Sequence, residues 1–391
     1  MKLSPQAIQV ESSRIRELSV LAETVPGVYK LYFGESNIPT PEFIKRGGQK
    51  AIAENHTFYT PNAGYKELRE GISQKIWELQ GLRYDPESEI IVTGSGVTAL
   101  LLSIFTLLGR GEKAIILSPA WPNSKSIVQM VGGIPVEVPL HEGKNRYELD
   151  LDRIRATIDN QTKLLVLSSP SNPLGWVASV EEQRALAELA YERGVALLSD
   201  EVYERIVYDG PAAPSIAKAV PDREGVIVAH SFSKSYCMTG WRVGYCYGAK
   251  EAISEMIKLQ EFVVSHPSSI SQRAAMVALR EGEEFVKDMV GRYRRQRDFI
   301  YSRLIQMERL EVKKPEGAFY VFPRVAGLKD SFAFAKDLLL KKAVGVAPGS
   351  AFGLGGEGCI RICFAAEEEV MGPALDRLEE YLHGRSKLSS A

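Results

Sequence analysis

Seven short apolar runs, separated by stretches with helical patterning, leave this chain few folds to choose from. The runs are Ile90–Val92, Ala114–Leu117, Ile134–Val138, Leu164–Leu167, Val195–Leu198, Val226–Ala229 and Val243–Tyr247. Several are continuous rather than alternating, the pattern of strands whose two faces are both covered by helices. Thr98–Leu108, Asp150–Ile158 and Glu181–Arg193 read as helices between them. The last carries Ala185, Leu186, Leu189 and Ala190 on one face, with Gly194 at its C-cap. This alternation, from about residue 85 to 250, predicts an α/β fold: three layers around a mostly parallel, doubly wound, seven-stranded sheet.

Past Pro267 the texture changes. Residues 271–306 are rich in Arg, Glu, Gln and Ala, which predicts long helices. Short strands near Gly317–Pro323 and Cys359–Phe364 follow, with helices near 331–342 and 367–384. A chain of 391 residues has room for two domains. The expected division is a large domain, 46–280, and a smaller α+β domain made of 1–45 and 281–391, with Lys387–Ala391 as a frayed tail.

Bulk properties exclude several functions. The 48 basic and 49 acidic residues give a net charge of −1, and no Lys/Arg run marks a nucleic-acid surface. Cys237, Cys246, Cys359 and Cys363 form no CxxC pair, and the five histidines are scattered, so buried free thiols and no metal are expected. The first twenty residues lack the apolar centre of a signal peptide, and no 18-residue apolar stretch is present. A cytoplasmic location is the expectation.

Chemistry gathers at the ends of the predicted strands, where open α/β sheets bind ligands. After Val226–Ala229 comes Ser231-Phe-Ser233-Lys234, and further on Arg242. A lysine at the end of a buried strand is costly to charge, and a half-dry amine is a nucleophile able to form an imine. The two serines and the arginine are the donors that a phosphate monoester needs, although a solvated loop lysine reads equally well from this stretch alone. Asp200, with Tyr203 after it, ends Val195–Leu198; it suits a carboxylate facing a pyridine nitrogen, or merely a helix N-cap. Ser171-Asn172-Pro173 forms a rigid loop offering a donor, or a plain strand–helix turn. Ser95-Gly96-Val97 lets backbone N–H groups close on an anion at a helix N-terminus. Trp121 suits stacking on a flat ring or a place in the core. Arg361, inside the apolar strand Cys359–Phe364, calls for an anion: a substrate carboxylate, or a structural acidic partner.

Taken together, these strand ends resemble the class I aminotransferases, the fold-type-I enzymes dependent on pyridoxal 5′-phosphate (PLP) that include aspartate aminotransferase. The resemblance runs from about Gly34 to Arg361. It implies a PLP-transferase large domain in which Lys234 carries the cofactor as an imine and acts as general acid–base. Asp200 would pair with the ring nitrogen, and Tyr203 and Asn172 with the ring oxygen. Ser95, Gly96, Val97, Ser231, Ser233 and Arg242 would hold the phosphate, and Trp121 would stack on the ring. Arg361 would clamp the substrate α-carboxylate beside Gly34. Tyr59 would reach a neighbouring subunit's phosphate, implying a homodimer. The implied reaction is ping-pong transfer of an amino group from an L-amino acid to a 2-oxo acid, with 2-oxoglutarate the expected acceptor and aspartate, aromatic or other neutral amino acids the candidate donors.

Two features depart from the family. Gly34-Glu35-Ser36-Asn37-Ile38 stands where many members have Gly-Glu-Pro-Asp-Phe, which leaves specificity open. Glu261 falls near the place of an arginine that, in one branch, grips a second carboxylate, and so opposes a dicarboxylate. The same residues serve a PLP-dependent β-eliminating lyase. A PLP-binding regulatory domain would bring a helix-turn-helix segment and a basic surplus, and a dehydrogenase would bring the dinucleotide fingerprint.

Overall fold

The computed structural model describes residues 1–220 and 224–386; the tail Lys387–Ala391 lies outside the described residues. All seven apolar runs are strands of one sheet: β1 (Ile90–Thr93), β2 (Lys113–Ser118), β3 (Ile134–Pro139), β4 (Thr162–Ser168), β5 (Ala196–Asp200), β6 (Val226–Ser231) and β7 (Gly244–Gly248). Their order in space is β1-β7-β6-β5-β4-β2-β3. The strands from β2 to β6 pair in parallel, whereas β7 runs antiparallel to both β1 and β6.

The continuous apolar runs follow from a two-sided sheet. Val92, Ile115, Leu165, Leu197 and Val228 join one core, while the alternate residues Ile91, Ile116, Leu164, Leu198 and Ile227 join another on the opposite face. Each strand therefore needs apolar side chains at every position. Helices Gly96–Leu107 and Lys250–Val263 supply Leu102, Ile104, Ile253 and Met256 to the second core. Helix Val180–Arg193 buries Leu186 and Leu189 in the first. It starts with a capping box between Ser179 and Glu182 and stops at Gly194, whose φ of 62° suits a residue without a Cβ.

The C-terminal third follows its sequence pattern. Helices Ser269–Glu281 and Glu283–Leu304 are parted at Gly282, where a side chain would run into the Ala278 carbonyl. Tyr320–Val321, Ile360–Cys363 and Ala347–Pro348 form a small antiparallel sheet. Tyr29–Lys30 pairs in parallel with Val344–Gly345, tying the two ends of the chain together. Helices over Glu42–Ala53, Lys66–Gln80, Asn123–Met130 and Lys250–Val263 were not among those read from the sequence. All four thiols are free and buried. No described helix is long and apolar enough to cross a membrane.

The parallel strands end on one edge of the sheet. Ser118, Ser168, Asp200 and Ser231 close β2, β4, β5 and β6 there, and Gly244 opens β7 at the same edge.

Candidate active site

Just past β6, Ser231 caps the single-turn helix Phe232–Ser235; its Oγ accepts the Ser233 N–H at 3.1 Å and donates to Ser233 Oγ at 2.9 Å. That turn presents Lys234, which is half-buried and donates from Nζ to the Gly34 carbonyl at 2.7 Å. The rings of Tyr203 and Phe319 stand 5.7 and 5.9 Å from the same nitrogen. Burial pushes the Lys234 amine from 10.5 down to about 8, against the opposing pull of Cys363 and Glu35.

Asp200 closes β5 with its carboxyl buried. It accepts the Val202 N–H at 3.3 Å, an interaction that favours the anion. Burial nevertheless raises Asp200 to about 6, with the Val202 N–H and the Lys234 charge opposing. A buried carboxylate so weakly compensated suits a cationic ring nitrogen placed against it.

The anion-binding expectation has geometric support on the same edge. Ser95 caps the 12-residue helix Gly96–Leu107, accepting the Thr98 N–H at 3.0 Å. A Cβ on Gly96 would come within 3.2 Å of Ser231 Cβ, and one on Gly244 within 2.7 Å of Gly96 N. The absence of these methyls thus brings a helix N-terminus against the Ser231 and Ser233 hydroxyls. Half-buried Val97 packs from this first turn against the second core. Arg242 is exposed beside them with a φ of 53° and donates to the Thr239 carbonyl at 2.7 Å. A dry amine, a buried carboxyl and this cup of donors fit PLP in chemical type.

Arg361 is 2% exposed and enters from the small sheet. Its Nη1 donates to Asn172 Oδ1 at 2.9 Å and its Nη2 to the Tyr32 carbonyl, while Nε has no partner among the described residues. The guanidinium lies 4.5 Å over the Tyr320 ring and 4.9 Å over that of Phe352. A buried cation held only by neutral acceptors and ring faces suits an incoming carboxylate. The Tyr320 hydroxyl in turn meets the Tyr203 hydroxyl at 2.5 Å.

Lys234, Asp200, Tyr203, Asn172, Arg361 and Gly34 therefore converge, with Ser95, Gly96, Ser231 and Ser233 beside them. Trp121 is half-buried against the second core; next to it, the Ala120 N–H donates to the Phe352 carbonyl at 2.9 Å. Tyr59 does not join this group: its ring is 90% exposed and stands edge-on to His266 at 5.4 Å. Glu261 is exposed and accepts from Asn62 Nδ2 at 2.8 Å.

Sequence reasoning overlooked Tyr32, Tyr320 and Phe352 around Arg361; the aromatic run Phe319-Tyr-Val-Phe322 was a signal, but it was read only as strand. It also overlooked a buried group of Glu201, Glu204 and His230, whose ligand-type atoms lie within 4.8 Å of one another. Burial raises Glu201 to about 8 and Glu204 to about 7, and lowers His230 to about 3.

The family model for aminotransferase class I and II matches residues 27–378. The chain is 36% identical over 385 residues to the aromatic-amino-acid aminotransferase 2 of Thermococcus litoralis, covering 98% of each. It is 38% identical over 381 residues to a probable N-acetyl-LL-diaminopimelate aminotransferase of Bacillus subtilis, covering 97% of this chain and 95% of the relative. Its structure resembles that of a single mutant of Thermus thermophilus aspartate aminotransferase with a TM-score of 0.90 at 34% identity, covering 97% and 99% of the two chains.

Proposed function

Because the chain belongs to the class I and II aminotransferases, we propose that it moves an amino group from an uncommitted range of L-amino acids to a 2-oxo acid, with 2-oxoglutarate as acceptor, in two half-reactions at Lys234. The chain is a PLP-dependent aminotransferase acting on amino and 2-oxo acids. The observation that carries the site assignment is the Lys234 amine, held on the Gly34 carbonyl at 2.7 Å at the carboxyl edge of the sheet, with burial bringing it down to about 8.

When bound, PLP supplies an electron sink that acidifies the substrate's α-hydrogen. The rest falls to the chain's own residues. Arg361 receives the α-carboxylate on its guanidinium, whose Nε is free for it. Lys234 Nζ takes the substrate's α-proton and would return it to the cofactor's aldehyde carbon, two atoms away; an amine near 8 is suited to both directions at neutral pH. Asp200 would hold positive charge at the ring nitrogen. Asn172 spends its Oδ1 on Arg361, which leaves Nδ2 for the ring oxygen alongside the Tyr203 hydroxyl. Ser231, Ser233, Arg242 and the N–H groups at Gly96 and Val97 would hold the phosphate, with Ser95 fixing the helix end, and Trp121 would stack on the ring.

The proposal extends to a homodimer in which Tyr59 serves the second copy's phosphate. In support, Phe58, Tyr59, Phe262, Val263 and Val264 expose apolar surface, an arrangement that favours burial against a partner. It also includes a cytoplasmic location and a division into 46–280 and 1–45 plus 281–391, which the pairing of Tyr29–Lys30 with Val344–Gly345 supports.

The relatives' names span aromatic, diaminopimelate and aspartate substrates, so kinship leaves the donor open. Purified protein with PLP, 2-oxoglutarate and a panel of amino acids tests the reading. Glutamate formed in step with donor consumption supports it. Pyruvate and ammonia without glutamate would replace it with β-elimination.

A further inference from the structure

Tyr320 touches three members of the proposed site at once. Its hydroxyl is 2.5 Å from that of Tyr203, its ring carries Arg361 at 4.5 Å, and its hydroxyl fills the space where Gly34 would bear a Cβ. Both tyrosines are buried, at 3% and 0% exposure, so neither hydroxyl has bulk water as an alternative partner. Gly34 in turn accepts from Lys234 at 2.7 Å.

We propose that Tyr320 is a positioning residue, whose hydroxyl is wedged between Gly34 and Tyr203 and fixes Tyr203 as the donor to the ring oxygen of bound PLP. This rests on the reading of Lys234 and Tyr203 given above. Once the single Tyr203 proton is committed to the ring oxygen, the Tyr320 hydroxyl can only donate to Tyr203, which polarises the Tyr203 O–H and makes it a stronger donor. A stronger donor stabilises negative charge on the ring oxygen and lowers the proton affinity of the cofactor's chromophore. The ring of Tyr320, as distinct from its hydroxyl, serves Arg361.

Tyr320→Phe separates the two roles, since it removes the hydroxyl and keeps the ring. The pH midpoint of bound PLP's visible absorbance is expected to rise by about half a unit or more, a roughly threefold change in proton affinity. KM for the amino acid should change less than about twofold, because the ring under Arg361 remains. In a Tyr203→Phe background, Tyr320→Phe should shift the midpoint no further. An unmoved midpoint, or an equal shift in that background, overturns the proposal.

Melting of the cofactor-free protein provides a separate arm. Gly34→Ala should lower Tm in the parent chain and lower it distinctly less in Tyr320→Phe, where the overlapping oxygen is gone. Equal losses in both backgrounds would refute the wedge. Because these melts need no cofactor, they remain decisive even in protein that takes up no PLP, a result that would count against the proposed function instead.

Discussion

At the scale of single residues, the site sets charged groups where water cannot solvate them and lets neutral neighbours decide their state. Arg361 is the clearest case, since it has no acidic partner among the described residues: its ligands are the Asn172 side chain, the Tyr32 carbonyl and two ring faces. The alternative held open from sequence, a structural ion pair, is absent among the described contacts of Arg361. Arg361→Lys keeps the charge but loses the planar fork, so kcat/KM for the amino acid should fall roughly 10- to 100-fold, the worth of a charge-assisted hydrogen bond. Steady-state kinetics on the best donor measures it. Lys234, Asp200 and Arg361 stood out in the sequence because a charged side chain at the end or middle of an apolar strand must find a partner or a wet cleft. Tyr320 did not, because an aromatic in a strand is ordinary, and only its placement against Gly34 and Tyr203, 286 and 117 positions away in sequence respectively, reveals what it touches.

At the scale of elements, legibility followed burial. The sheet strands were readable because alternate residues enter two separate cores, which forces continuous apolar runs. The direction of β7 was not, since antiparallel pairing leaves no mark on a strand buried on both faces. Helices such as Lys66–Gln80 were missed because charged residues dominate their exposed faces, leaving Leu68, Ile72 and Ile76 as a thin stripe. Helix Val180–Arg193 was found from its apolar face and from Gly194 at its C-terminal end, while its N-terminal capping box went unread. Ser179 and Glu182 reciprocally satisfy two N-terminal N–H groups, and Ser179→Ala should cost about 1 kcal/mol. A drop in Tm of about one to two degrees at unchanged activity, read by calorimetry, is the expected result.

At the scale of the whole molecule, the fold brings both ends of the chain to the middle: Lys234 meets Gly34, and Arg361 meets Tyr32. Such pairings are set by topology, so the sequence displayed the participants without their contacts. The same compactness strands a buried group behind β5 and β6. Glu201 Oε2 has no hydrogen-bond partner and faces His230 Nε2 at 3.8 Å, while Glu204 Oε2 faces His230 Nδ1 at 3.9 Å. Burial, with Glu204 adding, raises Glu201 from 4.5 to about 8. A raised acid contributes stability below its unfolded value, and that contribution is lost as pH climbs through about 8. Glu201→Gln cannot ionise, so its Tm relative to the parent chain should improve between pH 6 and pH 9. A difference in Tm that stays constant across that range would mean that Glu201 does not titrate there.

All of these scales meet in one bond. Borohydride reduction of the protein after loading with PLP, followed by peptide mapping, reads it directly. A single phosphopyridoxyl adduct on the peptide containing Lys234, lost in Lys234→Ala together with turnover, is the expected result. An adduct on another lysine, or undiminished amino transfer by Lys234→Ala, would contradict the account at its root.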